Sequence, residues 1–145
     1  MLFGLGLNAV DRHDYAFPFR IDPGSGQARR ASYNEHVKQM VRQVLLTGPG
    51  ERACLPEFGC GLRQVLFAPN ADVIQEQGDT VMPTNPVHAT TQLMVRQALD
   101  RWLAGQVKVN GVRVTRDPDA GSVTIDVDYV VVDTLAADRT QVRLV

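Results

Sequence analysis

An α+β fold, with two or three helices packed on one face of a small antiparallel sheet, is what three stretches of this sequence predict. Residues 32–46 open on Ser32, place Glu35 three positions later and carry apolar residues at helical spacing. A second helical stretch starts at Pro86 and runs to about Leu103, with the single Trp at position 102. From Val107 onward apolar and polar residues alternate, the period of half-buried strands. About three strands are expected there, behind an extended N-terminal arm.

Residues 1–31 read as that arm, ahead of one domain over 32–145. Phe17 and Phe19 flank Pro18, which holds Phe17 extended, and the run Asp22-Pro23-Gly24-Ser25-Gly26 is a turn cluster. Two phenylalanines are too few for a core. They are expected to pin the arm onto its own domain, the commoner use of such residues, or onto a neighbour.

Ser32 can cap the free amides of the first helix, and Glu35 completes a capping box. Val37, Met40, Val41, Val44 and Leu45 form its apolar stripe, and Gly48-Pro49 stops it. A loop rich in Gly and Pro follows, with Glu51, Arg52 and Glu57 set among Gly48, Pro49, Gly50, Pro56, Gly59 and Gly61. Fixed loops that carry a few charges are common binding elements. Two readings stand side by side. Glu51 and Arg52 hold the turn through charge-assisted hydrogen bonds, or the loop docks on a partner with Arg52 as its anchor. Phe58 is expected beneath the loop, closing a small satellite core.

Leu62, Val65, Leu66 and Phe67 predict a short helical patch ending at Pro69. Residues 71–85 are polar and irregular around Val73 and Ile74. Asn85 before Pro86 reads as an N-cap followed by proline at the first helical position. Met94, Val95, Ala98, Leu99 and Trp102 then share one face, with Trp102 expected in the core where helix meets sheet, and Gly105 ends the helix.

Val107 and Val109 alternate with polar residues, and Val112 and Val114 resume one position out of step across Asn110-Gly111. That dipeptide marks a bulge or a two-residue hairpin. Residues 117–121 form a turn, and 122–133 a long strand with Val123, Ile125, Val127, Tyr129 and Val131 on one face. A short last strand is expected at 140–145, with Val142 and Leu144 inward and Gln141 and Arg143 outward. It would leave a sheet edge open, since nothing after Val145 covers it. Such an edge is blunted by being short and by Arg139 and Arg143, or it serves as a socket for another protein's strand.

Composition narrows the function classes. At 145 residues, with 44% hydrophobic and 21% charged residues, the chain is sized for one ordinary globular domain. Its formal net charge of −1, from thirteen Arg and two Lys against 16 acidic residues, gives no broad pull toward nucleic acid or anionic lipid. The opening LFGLGLNAV lacks the basic start of a secretion signal, and Gly4 and Gly6 interrupt it. No apolar run approaches the roughly 20 residues that span a bilayer, so a cytoplasmic product without membrane insertion is expected. Cys54 and Cys60 cannot make a four-ligand zinc site, and His13, His36 and His88 are scattered. No metal or cofactor is expected, and both cysteines are read as buried or half-buried thiols rather than a disulfide.

The runs GPGER, PEFGCGL and LFAPN, within residues 45–70, resemble the core signature of the sheath-initiator (baseplate wedge) family of contractile phage tails and related injection systems. The likeness extends from FPFRID at 17–22 through the first helix into the β-rich C-terminal part. It favours one bulged strand at Asn110-Gly111. In many relatives a Glu-Pro-Arg triplet follows the Trp and contacts the baseplate wedge; here Leu103, Ala104 and Gly105 stand instead. That departure points to the injection-particle branch rather than the best-known phage form.

The resemblance implies a structural protein of the baseplate. Six copies would ring the inner tube and offer their sheet edge to strands of the first-ring sheath subunits. Sheath protein, wedge proteins and inner tube or hub proteins are the implied partners. The implied contact residues are Glu51, Arg52, Glu57 and Phe58 in the loop, and Arg139, Gln141, Arg143 and Val145 on the last strand. A secretion-system baseplate subunit of the type VI kind is the near alternative. A lysozyme-like glycosidase is the distant one, because it needs two carboxylates flanking the scissile bond. Glu51 and Glu57 are its only obvious pair, and Arg52 beside Glu51 favours the carboxylate over the acid that such chemistry requires.

Overall fold

A computed structural model describes residues 14–66, 86–117 and 119–145. Ser32 caps the first long helix, α1 (Tyr33–Leu46), accepting a hydrogen bond from the Glu35 amide while the Glu35 carboxylate accepts one from the Ser32 amide, the expected box. Val37, Val41, Val44 and Leu45 are each 0–1% exposed, and Met40 packs against them from the side. The chain becomes extended at Thr47 and α1 ends there. The short α2 (Leu62–Leu66) follows the central loop, and α3 (Pro86–Trp102) buries Val95, Ala98 and Leu99 against the same core. The expected roles of Phe67, Pro69, Asn85 and the 71–85 stretch fall outside the described residues.

Three antiparallel strands form the main sheet in the order β3 (Val107–Asp117), β4 (Ser122–Val131), β5 (Ala136–Leu144). Asn110 is the bulge. The register passes from Val109↔Tyr129 directly to Gly111↔Asp128, so two valine pairs half a period apart all reach the inner face. Val107 and Val114 are buried there, and Val109 and Val112 partly so. Opposite them Val123, Ile125, Val127, Tyr129 and Val131 are at most 2% exposed. The buried Tyr129 hydroxyl shares a hydrogen bond with Thr140 Oγ1 at 3.2 Å, which satisfies both groups. After β3, Asp117 Oδ1 accepts from the amides of Asp119 and Ala120 and fixes the turn.

The last strand is longer than the sequence predicted. It starts at Ala136, four residues before Thr140, and pairs with β4 along its whole length. Ala137, Asp138 and Arg139 have little intrinsic strand preference, so tertiary pairing overrode propensity. Correspondingly β4 stops at Val131, and residues 132–135 make the hairpin turn. That turn is tied to α1: the Tyr33 hydroxyl donates to Asp133 at 2.6 Å, and Thr134 donates to Asn34 at 2.9 Å. Lys38 reaches Asp138 at 3.1 Å, so α1 is fastened along β5.

The arm is extended in its backbone but folded back on itself. β1 (Asp14–Tyr15) pairs with β2 (Arg30–Ala31), and Ile21 bridges Ala28. The Phe17 amide donates to Gln39 Oε1 at 2.8 Å, which seats this hairpin on α1. Phe17 and Phe19 do not pin it to the domain core. They are 57% and 64% exposed, because the backbone hydrogen bond does that work and leaves the rings outside.

Candidate functional site

The central loop, residues 47–61, is stapled by its own backbone. Gly50 donates to Pro56 at 2.7 Å, Phe58 to Leu55 at 3.0 Å and Cys60 to Thr47 at 3.1 Å. Gly59 makes the crossing possible. Its φ is +113°, and a Cβ there would lie 2.0 Å from the Thr47 carbonyl oxygen.

Side chains then clamp the loop between two helix ends. Arg52 donates from Nη2 to Gln43 Oε1 of α1 at 2.9 Å, and its guanidinium lies 4.0 Å above the Phe58 ring. Phe58 tilts against Trp102 of α3 with ring centroids 5.0 Å apart. Arg101 lies 5.1 Å over Trp102 and ion-pairs with Glu57. The result is a continuous layered stack, Arg52–Phe58–Trp102–Arg101, closed by Glu57. Both Phe58 and Trp102 are half-buried members of this stack at the edge of the main core. Phe58 thus packs on the main core rather than closing a separate satellite core, and Trp102, at the end of α3 just before β3, is half-buried against that core rather than fully inside it. Glu51 is exposed beside Gly48.

Cys60 is buried, and burial pushes its thiol up to about 12. Cys54 is exposed rather than buried or half-buried, since it lies on the outer rim of the loop. Both are free thiols.

The last strand sets Arg139, Gln141 and Arg143 on the sheet face away from the helices. Arg139 faces Asp128 in register and hydrogen-bonds it, and Gln141 faces Asp126 and donates to it at 3.0 Å. Arg143 donates to Ser122 Oγ at 3.2 Å. Arg113 of β3 stands opposite Asp126 on the other side. A carboxylate line on β4 is thus flanked by guanidiniums on both neighbours. The Arg139 hydrogen bond, followed by the charges of Arg139 and Arg113, holds the Asp128 carboxyl below its usual 3.8. Val145 lies beyond the ladder, 82% exposed. β5 pairs with β4 on one side and is the last strand in the sheet order.

A family model for the baseplate wedge protein gp25 matches residues 31–136 of this chain. The match spans α1, the loop, α2, α3 and the whole of β3 and β4. The chain belongs to the baseplate wedge protein gp25 family. Two solved structures share its fold. One is in the baseplate of the anti-feeding prophage, seen by cryo-electron microscopy with six-fold symmetry applied, at 20% identity, TM-score 0.64, 83% of this chain and 86% of that one. The other is a Geobacter sulfurreducens protein whose name proposes a tail lysozyme, at 22% identity, TM-score 0.60, 79% of this chain and 91% of that one. At these identities the likeness speaks to the fold alone. No curated protein matches.

Within this gp25-family chain the expected contact residues occupy two places. Arg52, Glu57 and Phe58 join in the stack, with Glu51 nearby. Arg139, Gln141 and Arg143 share the outer face of β5, with Val145 at its end. No group of His, Cys, Asp and Glu among the described residues could hold a metal ion. No described helix is long and apolar enough to cross a membrane. Sequence reasoning missed a third feature, the hairpin strip of Tyr15, Phe17, Phe19 and Ile21, all more than half exposed. Its period of two was the available signal, hidden by the irregular residues around it.

Proposed function

We propose that this baseplate component starts sheath assembly in a contractile tail or injection particle. The open edge of β5 takes up strands from first-ring sheath subunits, and the observation that carries this is a nine-residue edge strand that, among the described residues, is paired on one side. Main-chain ladders give strength with little sequence demand, while alternate side chains set register. Arg139, Gln141, Arg143 and Val145 would meet the incoming strand. Glu51, Arg52, Glu57 and Phe58 would form a second contact, toward wedge or inner tube proteins. Six copies around the tube would add their weak contacts through high effective concentration. The chain would be made in the cytoplasm and carried in the particle.

A hydrolase reading has less support. Glu57 is engaged by Arg101. The cavity beside Glu51 holds about 70 Å³, far below the ~300 Å³ of small-ligand clefts.

Deleting 139–145 cannot test the proposal cleanly, because it removes Thr140, Val142 and Leu144 from the core. Hydrogen exchange can. Adding purified sheath protein should slow exchange across residues 136–145 while sheath assembles on tubes. Assembly with unchanged exchange there would overturn the proposal.

A further inference from the structure

Between the arm hairpin, α1 and β5 lies a groove of about 660 Å³, within the ~300–1,000 Å³ of ligand-binding clefts. Its walls carry Arg20 and Arg29 from the hairpin, Arg30 from β2 and Arg42 from α1. All four are exposed. None has a carboxylate hydrogen-bond or ion-pair partner among the described residues, although Arg29 feels the charge of Asp22. Of the other charged residues lining the groove, Glu35 accepts from the Ser32 amide and keeps its negative charge, and Lys38 is paired with Asp138. In a chain of net charge −1, four guanidiniums in one cleft against the single carboxylate of Glu35 are a local excess, not a global trend.

Thr140 and Gln141 of the edge strand β5 line the same groove, and exposed Phe17 stands at its lip. The cleft therefore places main-chain pairing capacity, cationic walls and an aromatic edge side by side. A nucleic acid would use the guanidiniums alone, whereas an extended polypeptide uses all three.

We infer that this groove receives an acidic, strand-forming polypeptide segment of an assembly partner, its carboxylates meeting Arg20, Arg29, Arg30 and Arg42 while its backbone runs beside β5. The inference deepens the edge-strand proposal by naming the chemistry of the incoming segment. Guanidiniums suit this role because they donate bidentately to carboxylates and lose less hydration than ammonium groups. Exposed charges of this kind govern encounter rate and salt dependence more than ultimate affinity.

The test uses fluorescence anisotropy with a labelled peptide of about eight alternating Glu and Val residues, a typical strand length. A Lys-Val peptide and single-stranded DNA of the same length are the comparisons. The wild-type chain should bind the Glu-Val peptide at least tenfold more tightly than either, and more weakly as salt rises. The double reversal Arg29→Glu/Arg42→Glu, at two exposed positions, should swap the preference toward Lys-Val. Swapped preference also shows that the variant is folded. No Glu-Val binding at about 1 mM, tighter binding of DNA, or an unswapped preference in the reversal would each overturn the inference. Sheath assembly on the same variants separates the two proposals. Lost Glu-Val binding with β5 still protected during assembly would overturn the inference and leave the edge-strand account standing.

Discussion

Phe58 and Trp102 hold their rings 5.0 Å apart at an angle of 57°, and this contact joins the central loop to the last turn of α3. The Arg52 guanidinium lies 4.0 Å over the Phe58 ring. The two loop residues should therefore differ in what their loss costs. Phe58→Ala removes a half-buried ring, so a loss of about 2 kcal/mol is expected, under the ~3–5 for a fully buried one. Arg52→Ala removes a cation–π contact and one hydrogen bond, about 1 kcal/mol. Urea unfolding of both variants checks the order. If Arg52 is also a partner anchor, Arg52→Ala should reduce incorporation into baseplates more than its small stability loss explains. Incorporation that falls only in step with stability would leave Arg52 as a clasp for the loop.

Gly59 should be the least replaceable position in the loop. An alanine methyl would have to occupy space 2.0 Å from the Thr47 carbonyl oxygen, at a φ of +113° that side chains avoid. Backbone strain and overlap each cost about 1–3 kcal/mol, and the atom struck is backbone that cannot rotate away. Gly59→Ala is expected to lower stability by about 3 kcal/mol. The neighbouring Gly50 also has a positive φ but open space around it, so Gly50→Ala should cost only about 1 kcal/mol. Equal melting temperatures for the two variants would refute the close-approach argument.

The two cysteines should separate cleanly by reactivity. Cys60 is buried with its thiol pushed up to about 12, so the nucleophilic thiolate is scarce at neutral pH. Cys54 is exposed. A disulfide reagent added to native protein should consume one thiol quickly, and mass mapping should find it at Cys54. The second should react only on unfolding. Rapid labelling of both would mean that the loop opens far more readily than its backbone bonds imply.

Much of this fold was legible because local signals and tertiary demands agree. Ser32 and Glu35 form the capping box their spacing requires, and the one-residue slip at Asn110-Gly111 is the bulge that returns Val112 and Val114 to the core. Where they disagree, the sequence misled. Nothing in Ala137-Asp138-Arg139 announces a strand; β4 and α1 impose it from outside, through pairing and the Lys38–Asp138 contact. The loop stack was half legible. Gly and Pro marked a fixed loop, but that Trp102 would meet Phe58 across 44 residues depends on how α3 returns to the loop. The groove was hidden for the same reason. Arg20, Arg29, Arg30 and Arg42 converge only once the arm folds back on α1.

The Asp128–Arg139 pair on the outer sheet face predicts a specific acid sensitivity. The Asp128 carboxyl sits below its usual 3.8, first because Arg139 hydrogen-bonds it and then because Arg139 and Arg113 are positively charged; partial desolvation opposes this. A depressed folded value means that the unfolded chain binds the proton more readily. The stabilisation is therefore present above 3.8 and is lost as pH falls through the folded value. Asp128→Asn keeps the shape and abolishes the titration. Wild type should melt above Asp128→Asn at about pH 6, and the gap should close toward about pH 3. Because the pair is exposed, salt at about 1 M should shrink the gap at neutral pH as well. A gap that stays constant across this range would show that the ion pair adds nothing beyond its shape.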